Sequence, residues 1–484
     1  MQNKYFCPVI EKFRIIMKIA SFNTLQDSFH RLRSRSSQFA IVLTVIISLI
    51  MGFYFEKWNY DKVVVHDVIS YYAYLPAILV HHDIGFEFGK SLPDEIAKNK
   101  LWTKKSPINK PVLKMSMGNA FCWLPFFSIA HLYASLDKNY ENHGYSKPYY
   151  FMIFIAALSY LAIGLIFLRK TMISYFTDRT VAILIMILVL ATNLLYYVTL
   201  EPGMSHVYSF ALISMFIYFS LKWLKQPSFW LSVITGLILG LIALIRPTNI
   251  IIVLLPILIF LFEKNPLQKK FRFFRQNFRH LIFIAISTFI FLIPQLIYWK
   301  IVTGHYVYYT YGSENFYFDN PHIMDGLLSY RKGWLVYTPV MTFSIIGLFF
   351  LPTYIKRFTL PIIIFSLINI YIIFSWWAWW YGGSYGSRPM IDTYPVFAFP
   401  LAAFIHYFSR RAVWWRMITA LVFIFFIYLN FFQIYQYSIT LLHYDSMTKE
   451  AYWKILMKKK YPPNYQSLIK TPDYESAEAG KEEN

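Results

Sequence analysis

His66-Asp67-Val68-Ile69-Ser70-Tyr71-Tyr72-Ala73-Tyr74-Leu75-Pro76 opens a segment, 56–148, that is far too polar to sit in hydrocarbon. Apolar runs at 39–55 and 149–168 bracket it. The acid therefore stands just past the end of a first membrane helix, at the head of a large aromatic-rich loop. On a helix starting near His66, the residues Asp67, Ser70, Tyr71 and Tyr74 fall at i, i+3, i+4 and i+7 and share one face. That pattern predicts one carboxylate in a stripe of hydroxyls facing an aqueous cavity, with Ile69, Leu75 and Leu79 turned to lipid or protein. Asp is also a favoured helix N-cap, so spacing alone leaves a base and a cap as equal readings.

Composition places the rest of the chain in a bilayer. Of 484 residues, 57% are hydrophobic, 20% aromatic and only 15% charged, against about 45–50% apolar and about 25% charged in soluble domains. The net charge of +21 does not point to nucleic acid, because most of the arginines fall in short clusters between apolar runs, where the positive-inside rule expects them. Cys7 and Cys122 give no disulfide framework, CxxC or zinc spacing.

A spanning helix needs about 20 apolar residues. Candidate spans lie near 38–55, 149–168, 180–198, 206–223, 229–245, 248–262, 281–299, 334–351, 359–375, 391–408 and 414–434, eleven in all. The basic stretch 1–37 precedes them without a small-residue cleavage site, which predicts an uncleaved first helix and a cytoplasmic N-terminus. From that start, Arg169/Lys170/Arg179, Lys222/Lys225, Lys264 to Arg279, Lys356/Arg357 and Arg410/Arg411/Arg416 all follow an even number of crossings. Counting 118–136 as a span would put every later cluster outside, so parity makes it an interfacial helix of the outer loop. The expected fold class is all-α and integral to the membrane, with about eleven transmembrane helices and a large first outer loop of interfacial helices. Its parts are the tail 1–37, the membrane domain 38–434, and an outer segment 435–484 with a basic interfacial helix from Ser446 to Lys460 and a disordered end from Glu475.

Isolated charges mark candidate sites. Joined, 229–245 and 248–262 would make a helix about 51 Å long, well beyond a core of about 30 Å. The break falls at Arg246-Pro247-Thr248-Asn249. A charge at the bilayer centre costs about 2.5–3.5 kcal/mol, so Arg246 is expected near a face or on a polar cavity, and as a functional residue. Lys114 precedes Gly118 and the interfacial helix, where a cation and backbone N–H groups can meet a phosphate; a snorkelling lysine is the alternative. Trp376 to Pro389 contains three glycines and ends near Arg388; it reads as an aromatic belt or as a turn that lets backbone approach a ligand. Glu201-Pro202-Gly203-Met204-Ser205-His206 is a tight outer turn, with His206 structural or catalytic. Arg331 closes the polar-aromatic loop 300–333. His81-His82-Asp83 reads as a solvated turn, since adjacent histidines diverge on a helix.

In this order, these stretches resemble the GT-C-fold polytopic glycosyltransferases, bacterial relatives of protein O-mannosyltransferases and of the aminoarabinose transferase that modifies lipid A. The matching points are Asp67, Lys114 with Gly118, Pro202 with Ser205-His206, Gly240-Leu241 with Arg246-Pro247-Thr248-Asn249, and Tyr381 to Arg388. They span residues 38–434. The chain departs in having His66 where a second acid is common, and Lys-Met-Ser-Met-Gly where Lys-Pro-Pro-Leu-Gly is common. The resemblance implies a membrane glycosyltransferase in a bacterial inner membrane, with its C-terminus periplasmic. Its donor would be a polyprenyl-phosphate sugar, with Asp67 as catalytic base and Lys114, Arg246 and Arg388 on the donor phosphate. Ser70, Tyr71, Tyr74, His206, Glu201 and Arg331 would be candidate acceptor or sugar contacts. The acceptor would be a glycan, lipid or protein, among membrane lipids. No cofactor is implied and no metal ligands are assigned; a divalent metal is the one addition the resemblance admits.

Overall fold

The computed structural model describes residues 35–481; the stretch 1–34, with most of the expected cytoplasmic tail, lies outside the described residues. The chain is mostly helical. One sheet interrupts the all-helical expectation, an antiparallel pair of Thr103–Lys105 with Pro111–Leu113 in the segment between the first two long apolar helices. The turn 106–109, with Asn109 in the left-handed region, folds this polar stretch back on itself.

Six described helices are long and apolar enough to cross a membrane: Ser36–Tyr60, Lys147–Met172, His206–Lys225, Phe278–Thr303, Pro339–Phe374 and Val413–Ser438. Phe229–Ile245 and Pro247–Leu261 are apolar but shorter, and the helix Gly118–Leu136 is not among the six. Other expected spans are interrupted. The segment 180–198 forms Asp178–Leu190 and Leu194–Thr199, and 391–408 forms a 3-10 turn, Arg388–Thr393, before Tyr394–Ser409. The segments 334–351 and 359–375 meet in one run of 33 residues, Thr342–Phe374, broken at Ile355 (φ −142°, ψ 65°). Both ends of this run return to one loop: Phe374 O accepts from His322 N–H (2.9 Å), and Tyr337, just before the start, bonds Tyr330 O (2.6 Å). A straight helix of that length would part its ends by about 50 Å, so the run doubles back at Ile355.

The basic clusters gather at one end of the bundle. Ser37 N–H and Arg169 both reach Asp178 (3.1 and 3.6 Å). Lys170, Lys222 and Lys225 line one cavity, and Arg179 and Arg416 another. Arg357 meets Glu263 and the Tyr175 hydroxyl (3.4 Å each). From that end, His206–Lys225 leads back to His206, and Tyr394–Ser409 leads back to the turn Arg388–Thr393 that holds Asp392.

The helices Phe229–Ile245 and Phe278–Thr303 cross through Gly236-x-x-x-Gly240. A Cβ at Gly240 would lie 2.2 Å from Thr288 O, and one at Gly236 would lie 2.3 Å from Ile284 O. Backbone oxygens cannot rotate away. Local propensity favours Ala over Gly in a helix by about 1 kcal/mol, yet Gly240→Ala is expected to lower stability, since overpacking costs about 1–3 kcal/mol. The thermal midpoint of the detergent-solubilised variant gives the sign, and a rise would refute the tight crossing.

The tail departs from expectation. The helix in 446–460 is only Lys449–Ile455: Ala451, Tyr452 and Ile455 are buried, Gln433 and Gln436 donate to the Tyr452 hydroxyl and Ile455 O, and Lys449, Glu450, Trp453 and Lys454 form its exposed face. The end expected to be disordered forms a short helix, Tyr474–Glu478. It docks because Glu478 accepts from the Ser313 and Tyr317 hydroxyls, and Tyr474 bonds Asp445 (2.8 Å).

Candidate active site

Asp67 is the first residue of the helix Asp67–Tyr72, and His66 holds the N-cap position at positive φ with no side-chain cap bond. The Asp67 carboxylate accepts instead from Arg388 Nη2 at 2.9 Å, so it is not spent on capping. Residues 321 apart in the chain thus meet. The Asp67 side chain keeps 29% exposure and Arg388 15%, which leaves the pair open to a ligand from one side.

Arg388 is delivered by the glycine turn. Gly386 has φ +63°, and a Cβ there would lie 2.9 Å from the Tyr337 Cβ, so both conformation and space call for glycine. Asn193, at the break between two helices, donates to Tyr385 O and Ser387 O (3.3 and 3.4 Å) and accepts from the Tyr394 hydroxyl (2.6 Å). The interruption at 191–193 therefore anchors the turn that carries Arg388. Burial works against the Arg388 charge, but Asp67, Tyr197 and Glu201 hold its pKa well above the ordinary arginine value.

A second acid, Asp392, organises the neighbouring cluster. It accepts from His206 Nδ1 (2.9 Å) and Asn249 Nδ2 (2.9 Å), and Arg246 Nε lies 3.4 Å away. Asn249 also reaches Ser209 (3.3 Å). With a side chain only 2% exposed, Asp392 is closed to a substrate, whereas Arg246 keeps 18%. The guanidinium lies 5.9 Å from the Tyr381 ring centroid. Proline at 247 ends the helix and leaves Arg246 in an extended conformation, which frees it to turn toward this cluster.

The turn 201–206 packs between the two pairs. Gly203 lies against Val68, and Met204 Sδ lies 3.8 Å from Arg388 Nη1. Glu201 takes the Tyr196 hydroxyl bond (2.9 Å); burial raises its pKa, against the pull of Arg388 and of that bond. His206 is fully buried, its ring edge-on to Tyr197, and it serves Asp392.

Other expected contacts point elsewhere. The stripe on the Asp67 helix does not face water: Ser70 and Tyr74 are buried and clamp the Met115 backbone, Ser70 Oγ accepting from its N–H (3.2 Å) and Tyr74 donating to its carbonyl (2.7 Å). Ile69 and Leu75 are buried in protein, and Leu79 is exposed. Tyr71, also buried, stays within electrostatic reach of Asp67, Arg246 and Arg388. Lys114 is paired with Glu314 and sits over the Tyr311 ring, so it bounds the site without joining the two arginines. Trp377 Nε1 donates to the same glutamate (3.3 Å). Arg331 donates to Asp445 O (2.9 Å) and covers the Trp380 ring, tying the tail to the loops. Beside it, Lys332 is buried and donates to Ser384 O; burial pulls its ammonium down to about 7, against Asp445 and Glu201. Asp83 accepts from the Gly85 and Phe88 N–H groups (2.8 and 2.9 Å), which makes it a turn-builder. Among the described residues, no three His, Cys, Asp or Glu side chains group to hold a metal.

Asp392 and Glu314 are the site residues that the sequence reading does not name, and Asn249 and Tyr381 enter it only as parts of motifs, without a role. Asp392 carried a usable signal, a lone acid inside an apolar window. No family model matches the chain, and no curated protein is significantly similar to it.

Proposed function

We propose that this protein is a membrane glycosyltransferase that moves a sugar from a polyprenyl-phosphate donor to an acceptor hydroxyl, at the membrane face opposite the basic clusters. The observation that carries the reading is the convergence of one accessible carboxylate and two arginines, Asp67 with Arg388 and Arg246 beside Asp392, at one end of an apolar helical bundle. Charges this deep in a membrane protein are costly and mark function. A lipid-linked sugar would bring the matching charge, with its chain in the bilayer and its phosphate at the arginines.

In the reaction, the acceptor hydroxyl loses its proton to Asp67 as its oxygen bonds the anomeric carbon from the face opposite the phosphate, inverting that centre. The anomeric C–O bond breaks and its electron pair stays on the phosphate oxygen. General-base help of this kind is worth about 10²–10⁴-fold. Arg388 and Arg246 stabilise the growing phosphate charge, and a guanidinium can do so through two hydrogen bonds at once. Arg388 releases Asp67 as it turns to phosphate, which couples donor binding to an unmasked base.

The topology that goes with this reading has eleven crossings, counting the interrupted segments 180–198 and 391–408 and both arms of Thr342–Phe374. It belongs to a bacterial inner membrane, with the N-terminus cytoplasmic and the C-terminus periplasmic. Reporter fusions after residues 170, 225, 270, 357 and 411 should read cytoplasmic, and those after 140, 320, 385 and 470 external. A cytoplasmic signal at 140 would turn the first loop inward and dissolve the site.

Mass spectrometry of surface glycans and lipids from cells with and without the protein tests the activity; a missing sugar is expected, and identical profiles would defeat the reading. Arg246→Ala and Arg388→Ala should each cut transfer strongly, with only partial rescue by Lys, whose point charge lacks the planar fork. Unchanged donor binding in both alanine variants would remove the arginines from the phosphate. A second reading, a lipid or solute transporter, draws on the interrupted helices at 191–193 and 246–253. It predicts movement of labelled lipid or solute by Asp67→Asn proteoliposomes, where the transferase loses its activity.

A further inference from the structure

On the flank of the bundle, between Asp178–Leu190, Tyr394–Ser409 and Val413–Ser438, runs a groove of about 350 Å³. Its walls are apolar, with Ile183, Ile187, Phe423 and Ile427 along them, and its basic end carries Arg179 and Arg416. Both arginines are exposed, and among the described residues neither has an ion-pair partner. Asp178, next in sequence to Arg179, is turned away to Arg169 and Ser37. Helix electrostatics does not explain them either. Each stands in the first turn of its helix, the positive end, where a cation is disfavoured.

We infer that this groove binds one acidic phospholipid from the leaflet at the basic end of the bundle. An acyl chain lies along the apolar walls, and the phosphate with its net negative head group sits between Arg179 and Arg416. The division of the groove into apolar wall and cationic mouth matches the division within such a lipid. A zwitterionic lipid would fill the walls equally well but would leave the two guanidiniums without net counter-charge, so the charge selects the acidic class. Basic pockets between membrane helices bind acidic head groups for this reason. The groove runs beside Tyr394–Ser409, the helix that continues from the turn carrying Arg388 and Asp392, so the lipid would brace the scaffold of the site without touching it.

The test uses the full chain in nanodiscs of equal phosphatidylglycerol and phosphatidylcholine, with retained lipid identified by native mass spectrometry. The wild type is expected to retain one phosphatidylglycerol in preference to phosphatidylcholine. Arg179→Gln with Arg416→Gln should weaken that retention roughly thirtyfold, at about fivefold for each cation near the lipid charge. Arg410→Gln with Arg411→Gln removes the same charge from exposed arginines that do not line the groove, and should leave retention unchanged. Ala420→Trp, which fills a wall, should reduce retention with both groove arginines intact. Equal retention of the two lipids by the wild type would overturn the site, as would equal losses in the two double-arginine variants. All four arginines are exposed, so comparing the two double variants decides the matter even where the tryptophan variant fails to express.

Discussion

Asp67→Asn is expected to reduce sugar transfer by at least about a hundredfold while the protein folds and binds donor. Asparagine keeps the size of the side chain and one oxygen for Arg388, so the packing of the Asp67–Tyr72 helix survives. It cannot take a proton. Its neutral amide also holds Arg388 less firmly than the carboxylate does at 2.9 Å, which frees the guanidinium for phosphate. Donor affinity should therefore hold or improve as turnover collapses, a split that general damage to the site would not produce. Transfer within a few-fold of the parent would show that Asp67 only tethers Arg388 and is not the base.

The second large effect falls on stability. Asp392→Ala removes the acceptor shared by His206 and Asn249 and the counter-charge of Arg246. Breaking a buried ion pair by deleting one partner costs about 3–5 kcal/mol, because the other charge stays behind. The unfolding midpoint in detergent, followed by tryptophan fluorescence, should fall in the order wild type, Asp392→Asn, Asp392→Ala. Asp392→Leu combined with Arg246→Met should recover much of the loss, since removing both charges leaves neither unpaired. An unchanged midpoint in Asp392→Ala would mean that the cluster is held by packing alone.

The residues that sequence could single out were those whose chemistry clashes with their surroundings. Asp67, Arg246 and Arg388 are lone charges at the edges of apolar runs, and proline at 247 announced the break beside Arg246. Asp392 makes the same clash, yet it was absorbed into the window 391–408, because a hydropathy average dilutes one charge among seventeen neighbours. The break at 191–193 has a weak local signal, Thr192 accepting from Leu194 N–H (3.2 Å), but the partners of Asn193 lie at 385, 387 and 394 and exist only in the fold. The same holds for the tail. Glu475 to Gly480 is polar enough to stay solvated, and only Ser313 and Tyr317 give it a place to dock. Ser70 and Tyr74 illustrate the opposite error. Helical periodicity groups them with Asp67, but Met115, just past the strand Pro111–Leu113, supplies the backbone groups that claim their hydroxyls.

The pairing of Asp67 with Arg388 also fixes when the protein becomes whole. During synthesis the acid leaves the first helix long before its partner is made, since 321 residues separate them. At about 5–20 residues per second, the carboxylate waits on the order of 15–65 s with no arginine beside it. The earlier helices must therefore assemble around an unfinished centre, and a nascent chain released before Arg388 emerges would be inserted yet inert. Ribosome-stalled or truncated products of this chain should accumulate in the membrane as targets for quality-control proteases, recognisable by an Asp67 loop that remains open to cleavage.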